Sequence, residues 1–387
     1  MKTMHYKIVL ILLLLLMILL FCQNPTIVPP STYDCDPIAN TMNDSTLIKK
    51  LQQLLNRLYD LGTVGASLMV VNQSGTWTGA IGMADIPSNV LMKPGNLYRI
   101  GSISKLFTVA AVLRLCMQKK LSLDDSIDQY LDKEIIKNIA NVNIVTIRQL
   151  MNHTSKIPNY TDAKYTMECL NLSVKKETAR QKLKRVYRKK GLDNYEYSNS
   201  NTLLLGIIIS RIESKPAFTV IKEQVFQPLE LKNTYVATEE PSGLVCAYSN
   251  FYGNGKIIDV SFYDRLGAGG KDNTDNGIIS NVQDLITFFQ SLSDGMFLDS
   301  TTWIEMQKTS GKHFPNNEIP GFIDFCLGIS LLETKYGPAF GHWGNIYGFN
   351  AMLVFFPNSN TYAVILINTF SEAVRLLFQA EIYDYFF

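Results

Sequence analysis

The chain opens on charge followed by an unbroken apolar run. Lys2 and Lys7 precede "IVLILLLLLMILLFC", Ile8 to Cys22, in which no polar face appears. The run is shorter than the roughly 17–25 residues of a membrane-spanning helix and suits the apolar region of a signal segment. No small residues at A-x-A spacing follow, and bulky Phe21 precedes Cys22 where a lipidated cysteine would have a small neighbour. The pattern predicts an uncleaved signal anchor over 1–22, with cleavage or lipidation as alternatives. Positive charge on its N-terminal side sends the remainder out of the cytoplasm. The expected location is the cytoplasmic membrane, facing the periplasm or cell surface, or the exterior if the segment is cleaved. Residues 23–44, rich in Pro, Asn, Thr and Asp, read as a tether.

From Ser45, "STLIKKLQQLLNRLYDLG" places apolar residues at helical spacing and stops at Gly62. Two β-rich runs follow, turning around Asn72–Gly75. Near the other end, "GFNAMLVFFPNSNTYAVILIN" is a second hairpin, turning at Pro357–Asn360, and a last helix is expected from about Ser371 to Tyr383. Helix and loop dominate between. The pattern predicts an α+β fold, an α/β sandwich. Its antiparallel sheet is built from both chain ends and flanked by the terminal helices, with a large helical lobe inserted. The catalytic domain would span 45–387, with the sheet lobe in 45–100 and 335–387 and the helical lobe in 101–334. A cleft between lobes is where chemistry is expected.

Composition narrows the function classes. Aliphatic and aromatic residues make up 47% of 387 residues, enough for a large core, and the net charge of +2 argues against nucleic acid as a partner. The six cysteines form no CxxC pair; Cys116 and Cys326 lie in apolar segments as buried thiols, and Cys35 could pair with Cys169 or Cys246 outside the cytoplasm. The four histidines lack metal-ligand spacing, so neither a metal nor another cofactor is indicated. The basic run Lys175–Lys190 holds nine Lys or Arg against one Glu and reads as a solvated helix, or else as a contact for anionic envelope polymer or lipid head groups. The glycine-rich Leu266–Asn273 lacks the Lys-Ser/Thr of a phosphate loop and reads as a plain loop.

Three clusters carry candidate chemistry. "YRIGSISKLFTVAAVLRLC" sets Ser102 and Lys105 three apart at the entrance of an apolar helix. A serine hydroxyl needs a base to become a nucleophile, and an amine desolvated by burial can be that base. A second S-x-x-K, Ser173 and Lys176, sits in charged surroundings and reads as a solvated face. Tyr197 and Asn199 precede another apolar helix, a tyrosine able to relay protons and an amide able to bind a substrate carbonyl. The same Y-x-N spacing recurs at Tyr248 and Tyr252. His342 and Gly344 begin a β-run rich in glycine, as a strand lining a groove would.

Together the clusters resemble the serine β-lactamase and DD-peptidase superfamily, in its branch of class C β-lactamases and low-molecular-weight DD-carboxypeptidases. The family's S-x-x-K, Y-x-N and K-T-G or H-x-G motifs are matched by Ser102–Lys105, Tyr197–Asn199 and His342-Trp-Gly344. "LMNHTSKIPNY", the segment after Tyr197 and "DNGIISNVQDLITFF" also resemble family stretches. The resemblance spans roughly Leu51 to Phe387 and selects Ser102 over Ser173 and Tyr197 over Tyr248 and Tyr252. It implies acylation of Ser102, general acid–base work shared by Lys105 and Tyr197, substrate orientation by Asn199, and His342 in place of the motif lysine. It also implies an oxyanion hole made by the backbone N–H groups of Ser102 and Asn345.

Trp343 departs from the family pattern, which has a threonine or serine there to bind a substrate carboxylate. The expected function is an exported serine hydrolase working through an acyl-enzyme. It would be D-alanyl-D-alanine carboxypeptidase-like or β-lactamase-related, with an esterase or amidase on the same scaffold as the alternative. A non-catalytic penicillin-binding-like sensor of cell-wall fragments is the reading from another class. The expected partners are a peptide, ester or β-lactam in the cleft, the cell envelope, and the membrane through the N-terminal segment; oligomeric state is left open.

Overall fold

The structure is a computed structural model and describes residues 38–171, 173–250, 256–268, 272–315, 319, 321–371, 374 and 381–387. The predicted signal segment, nearly all of the tether, Cys35 and most of the predicted last helix lie outside these residues. What is described lies in the unit Thr32–Phe387. Among the described residues no helix is long and apolar enough to cross a membrane.

Helix α1, Ser45–Asp60, forms where expected. The Asp44 carboxylate caps it by accepting from the backbone N–H of Thr46 and Leu47, and Leu47, Leu51, Leu54, Leu55 and Leu58 line its buried stripe. The sheet has eight strands: β1 Gly65–Asn72, β2 Gly75–Asp85, β3 Val90–Leu91, β4 Phe322–Phe325, β5 Ser330–Thr334, β6 Gly337–Ile346, β7 Phe349–Phe356 and β8 Thr361–Ile367. They lie in the order β3-β2-β1-β8-β7-β6-β5-β4, antiparallel throughout. Both predicted hairpins are present. The two chain ends meet where β1 pairs with β8, from Ala66↔Ile367 to Val71↔Tyr362.

The central strands are buried on both faces, so their alternation sorts residues between two cores rather than between core and water. Along β8, Ala363, Ile365 and Ile367 pack with the leucines of α1, while Tyr362, Val364 and Leu366 face the helical lobe. That lobe is centred on α2, Ser104–Met117, which is buried along most of its length; α3, Asn199–Glu213, and α4, Val282–Ser293, pack around it. The Phe107 ring of α2 stacks on Phe288 of α4 at 3.9 Å and meets Phe226 edge-on at 5.6 Å.

One boundary moves. The sheet resumes at Phe322, not at 335, because β4 and β5 extend it beyond β6. These two strands are short and interrupted by a bulge between Leu331 and Leu332, so they leave little period-2 signal. Cys326 is buried and Cys116 half-buried, and neither is in a disulfide. Phe107→Ala removes the ring that joins α2 to α4 and should destabilise the protein by about 3–5 kcal/mol, read by denaturant unfolding. A loss below about 1 kcal/mol would show that α2 is not the keystone of this lobe.

Candidate active site

Ser102 sits on a single 3-10 turn, Gly101–Ile103, that runs directly into α2. The turn lies against β6, and two glycines allow it. Gly101 has φ +52, and a Cβ there would lie 2.9 Å from the backbone nitrogen of Asn345; a Cβ on Gly344 would lie 2.0 Å from the Ile100 carbonyl oxygen. Pairing of β6 with β5 ends at Gly341, so the segment from His342 onward turns an edge toward the nucleophile rather than toward a strand. Such an edge suits backbone recognition of a substrate.

Lys105 belongs to the first turn of α2 and is only 2% exposed. Its Nζ lies 2.9 Å from Ser102 Oγ and donates to the Asp275 carbonyl at 2.8 Å. The segment bearing Asp275 is stitched to the helices around it. Thr108 donates to the Thr274 carbonyl, Thr274 donates to the Thr202 carbonyl of α3, and the Ile278 N–H donates to the Ser104 hydroxyl. Burial lowers the Lys105 pKa to about 8, against the negative charge of Asp275, which raises it. A neutral amine that donates to the Asp275 carbonyl can direct its lone pair at the Ser102 hydroxyl.

Tyr197 stands beside this pair, its ring 5.2 Å from Lys105 Nζ. Its buried hydroxyl closes no hydrogen bond of full geometry. Burial pushes the phenol pKa up; the neighbouring Ser102 hydroxyl opposes this and the Asp275 charge adds to it. The phenol therefore rests protonated. His153 fixes its ring by packing at 4.4 Å, and the His153 Nδ1 accepts from the Ser198 N–H at 3.2 Å. His342 donates from Nδ1 to the Trp343 carbonyl at 2.7 Å. Burial lowers the His342 pKa to about 3, the Lys105 charge lowers it too, and the bond to the Trp343 carbonyl opposes the shift. Burial likewise drives His153 well below the usual histidine range. Lys105 is the group hydrogen-bonded to Ser102, and burial brings its pKa down to about 8.

A cavity of about 300 Å³ opens beside Ser102, with Asn199, Asp275, Asn276, Asn345 and Tyr347 in its lining. The Asn199 Nδ2 already donates to Asn159 Oδ1 at 3.3 Å and to Thr161 Oγ1 at 3.0 Å. Its carbonyl oxygen is what remains for a substrate, so it suits an N–H donor and not the substrate carbonyl.

The structure thus brings Ser102, Lys105, Tyr197, Asn199, His342, Gly344 and Asn345 together. It removes Trp343 from the group. Side chains alternate along a strand, and the Trp343 ring packs on the face opposite His342, with the core that includes Met352 directly across from it. The rival motifs are elsewhere: Ser173 and Lys176 are exposed, and the Tyr248 hydroxyl accepts from the Ile86 N–H. Tyr252 lies outside the described residues. Three residues of the neighbourhood escape motif reading, namely Tyr160, Asp275 and Lys182. Tyr160 ends "LMNHTSKIPNY" and Asp275 opens "DNGIISNVQDLITFF", but nothing in their local pattern marks Asp275 as a partner of Lys105 or Tyr160 as a partner of Asp275.

With the geometry in place, the comparisons with known proteins decide the family. The β-lactamase family profile matches residues 46–382. The chain belongs to the β-lactamase family. It is 25% identical over 332 residues to the Bacillus subtilis (strain 168) protein PbpX, named as a penicillin-binding protein, covering 84% of this chain and 76% of that one. It is 28% identical over 171 residues to protein flp of Staphylococcus aureus (strain MW2), covering 44% of this chain but only 34% of flp, about a third of that relative's length. A D-stereospecific amidohydrolase from Streptomyces sp. superimposes with a TM-score of 0.71 at 25% identity, over 85% of this chain and 97% of that one. The chain has the β-lactamase fold.

Two outcomes follow from the geometry. Lys105→Arg keeps a charge but cannot supply a neutral amine, so acylation of Ser102 should fall about 10²–10⁴-fold, measured by stopped-flow with an activated ester. Near-normal rates would make Lys105 structural. Trp343→Thr should cost on the order of 1–3 kcal/mol, less than for a fully buried tryptophan, in denaturant unfolding. It should leave the ratio of ester to penicillin acylation rates within about twofold. A tenfold change in that ratio would return Trp343 to the site.

Proposed function

We propose that this β-lactamase-family enzyme hydrolyses amides or esters that carry no carboxylate beside the scissile bond. The observation that carries the reading is the chemistry of the cavity lining. Among the described residues it contains no lysine, arginine or histidine, whereas it includes Asp275 and an Asn199 oriented to accept. A stem peptide ending in D-Ala-D-Ala, or a penicillin, presents a carboxylate that these groups do not neutralise. The amidohydrolase likeness agrees with an amide substrate.

The steps use groups already placed. Lys105 takes the Ser102 proton as Oγ bonds to the substrate carbonyl carbon. The backbone N–H groups of Ser102 and Asn345 hold the resulting oxyanion. The Tyr197 hydroxyl gives its proton to the leaving nitrogen or oxygen as that bond breaks, and Lys105 returns a proton to Tyr197. Water then attacks the acyl-Ser102 carbonyl with Lys105 again as base, the bond to Ser102 Oγ breaks, Lys105 returns the proton to Oγ, and the acid leaves. The enzyme acts outside the cytoplasm, tethered by 1–22; the positive flank and apolar run of that segment support this.

Intact-mass analysis and turnover of the full chain in detergent test the reading. The panel is an activated ester, an amino-acid amide, a fluorescent penicillin and a D-Ala-D-Ala peptide. The ester and amide should acylate Ser102 and turn over. The carboxylate substrates should lag by about one to two decades, the equivalent of a missing charged hydrogen bond of roughly 1.5–3 kcal/mol. No adduct should form in Ser102→Ala. Preference for the D-Ala-D-Ala peptide would establish the carboxypeptidase instead, and binding without any adduct would establish the sensor.

A further inference from the structure

The basic run Lys175–Lys190 keeps most of its charges exposed, as its composition suggests, but it is not one helix. It breaks into a helix, Ala179–Leu183, a 3-10 turn, Lys184–Val186, and a loop. Several of its charges are matched by nearby carboxylates: Arg180 by Asp132, Arg185 by Glu168 and Glu177, and Lys189 by Asp162. Lys182 does the opposite of its neighbours and goes inward, where it is 1% exposed.

A buried ammonium costs several kcal/mol unless it is compensated, and the position ends under the active site. Lys182 Nζ donates to the Tyr160 hydroxyl at 3.4 Å and lies 5.3 Å from the centre of that ring. The Tyr160 hydroxyl donates to Asp275 Oδ2 at 2.6 Å, and the Tyr160 N–H donates to Ser200 Oγ on α3 at 3.0 Å. Asp275, itself 1% exposed, accepts from Lys105 through its main-chain carbonyl. One residue thus joins two buried lysines, Lys105 by its backbone and Lys182 by its carboxylate through Tyr160.

We propose that Lys182 is a positioning residue for acylation: with Tyr160 it locks the Asp275 segment and offsets the Asp275 charge, so that Lys105 keeps a neutral amine aimed at Ser102. This rests on Lys105 as the base. Among the described residues, those bearing on Lys105 include Asp275, Tyr197, His153, His342 and Lys182, and those bearing on Lys182 include Tyr160, Asp275, Glu177, Arg185 and Lys105. The two histidines are neutral, so the balance falls on Asp275 and Lys182. Asp275 raises the Lys105 pKa, and the two lysines repel one another. Removing the Lys182 charge unmasks the first effect and deletes the second. Both changes raise the Lys105 pKa, and the fraction of neutral amine at a given lower pH falls.

The test is the pH dependence of kcat/KM for an activated ester, measured on the full chain as wild type, Lys182→Met, Lys182→Arg and Tyr160→Phe, with thermal melts to confirm folding at the assay temperature. Lys182→Met should move the acid limb upward by about one pH unit. The rate would then fall about tenfold below the limb and recover at alkaline pH. Tyr160→Phe, which cuts the same chain at its middle, should move the limb the same way, and it carries the comparison if Lys182→Met does not fold. Lys182→Arg should stay close to wild type. A limb that stays in place or moves down in the folded neutral variants, with rate lost evenly across pH or not lost at all, would overturn the proposal. A wild-type profile with no acid limb near pH 8 would instead remove Lys105 as the base, before any variant is compared.

Discussion

Lys105 keeps its amine out of water with a hydroxyl and a carbonyl as its hydrogen-bond partners, Ser102 Oγ and the Asp275 main chain. Neither partner carries a charge, so the ammonium is held less firmly than in an ion pair, and its proton becomes transferable near neutral pH. The acid that does reach it, Asp275, acts from across its own backbone and is tied to Tyr160. Burial and this one charge pull in opposite directions, and burial is the larger. Everything else near Ser102 is arranged so as not to compete. At rest the tyrosine is protonated and the histidines are neutral, which leaves Lys105 as the group placed to accept the Ser102 proton.

That arrangement depends on the sheet. The strand that approaches the Ser102 turn is β6, from the C-terminal part of the chain, and it is held in register by β7 and β8 and through them by β1 from the N-terminal part. Close contact between β6 and the turn is possible because Gly344 and Gly101 lack side chains where a Cβ would meet backbone atoms. The helical lobe contributes the other half: α2 carries Lys105, the start of α3 carries Asn199, and the segment before Ile278 supplies Asp275. Neither lobe holds the site alone.

The sheet was legible because its central strands and hairpins are long and apolar and both turns announce themselves. The short edge strands β4 and β5 were not, since a bulge and few residues erase their alternation. Ser102 and Lys105 were legible as a polar pair in apolar surroundings, where a polar residue has to be accounted for, whereas Tyr197 and His342 were singled out by the family resemblance. Trp343 was misplaced because a three-residue motif does not reveal which face of the strand each side chain takes. Lys182 was hidden for the opposite reason: a lysine among lysines carries no sign that it alone turns inward, and its partner Asp275 is distant in sequence.

The most direct measurement is the titration of Lys105 itself, followed by NMR of side-chain 13Cε signals in the lysine-labelled full chain and assigned by comparison with Lys105→Arg. The account predicts a midpoint of about 8, lowered by burial. A midpoint in the ordinary lysine range near 10.5 would mean that the amine is a fixed cation at neutral pH and that another group must take the Ser102 proton.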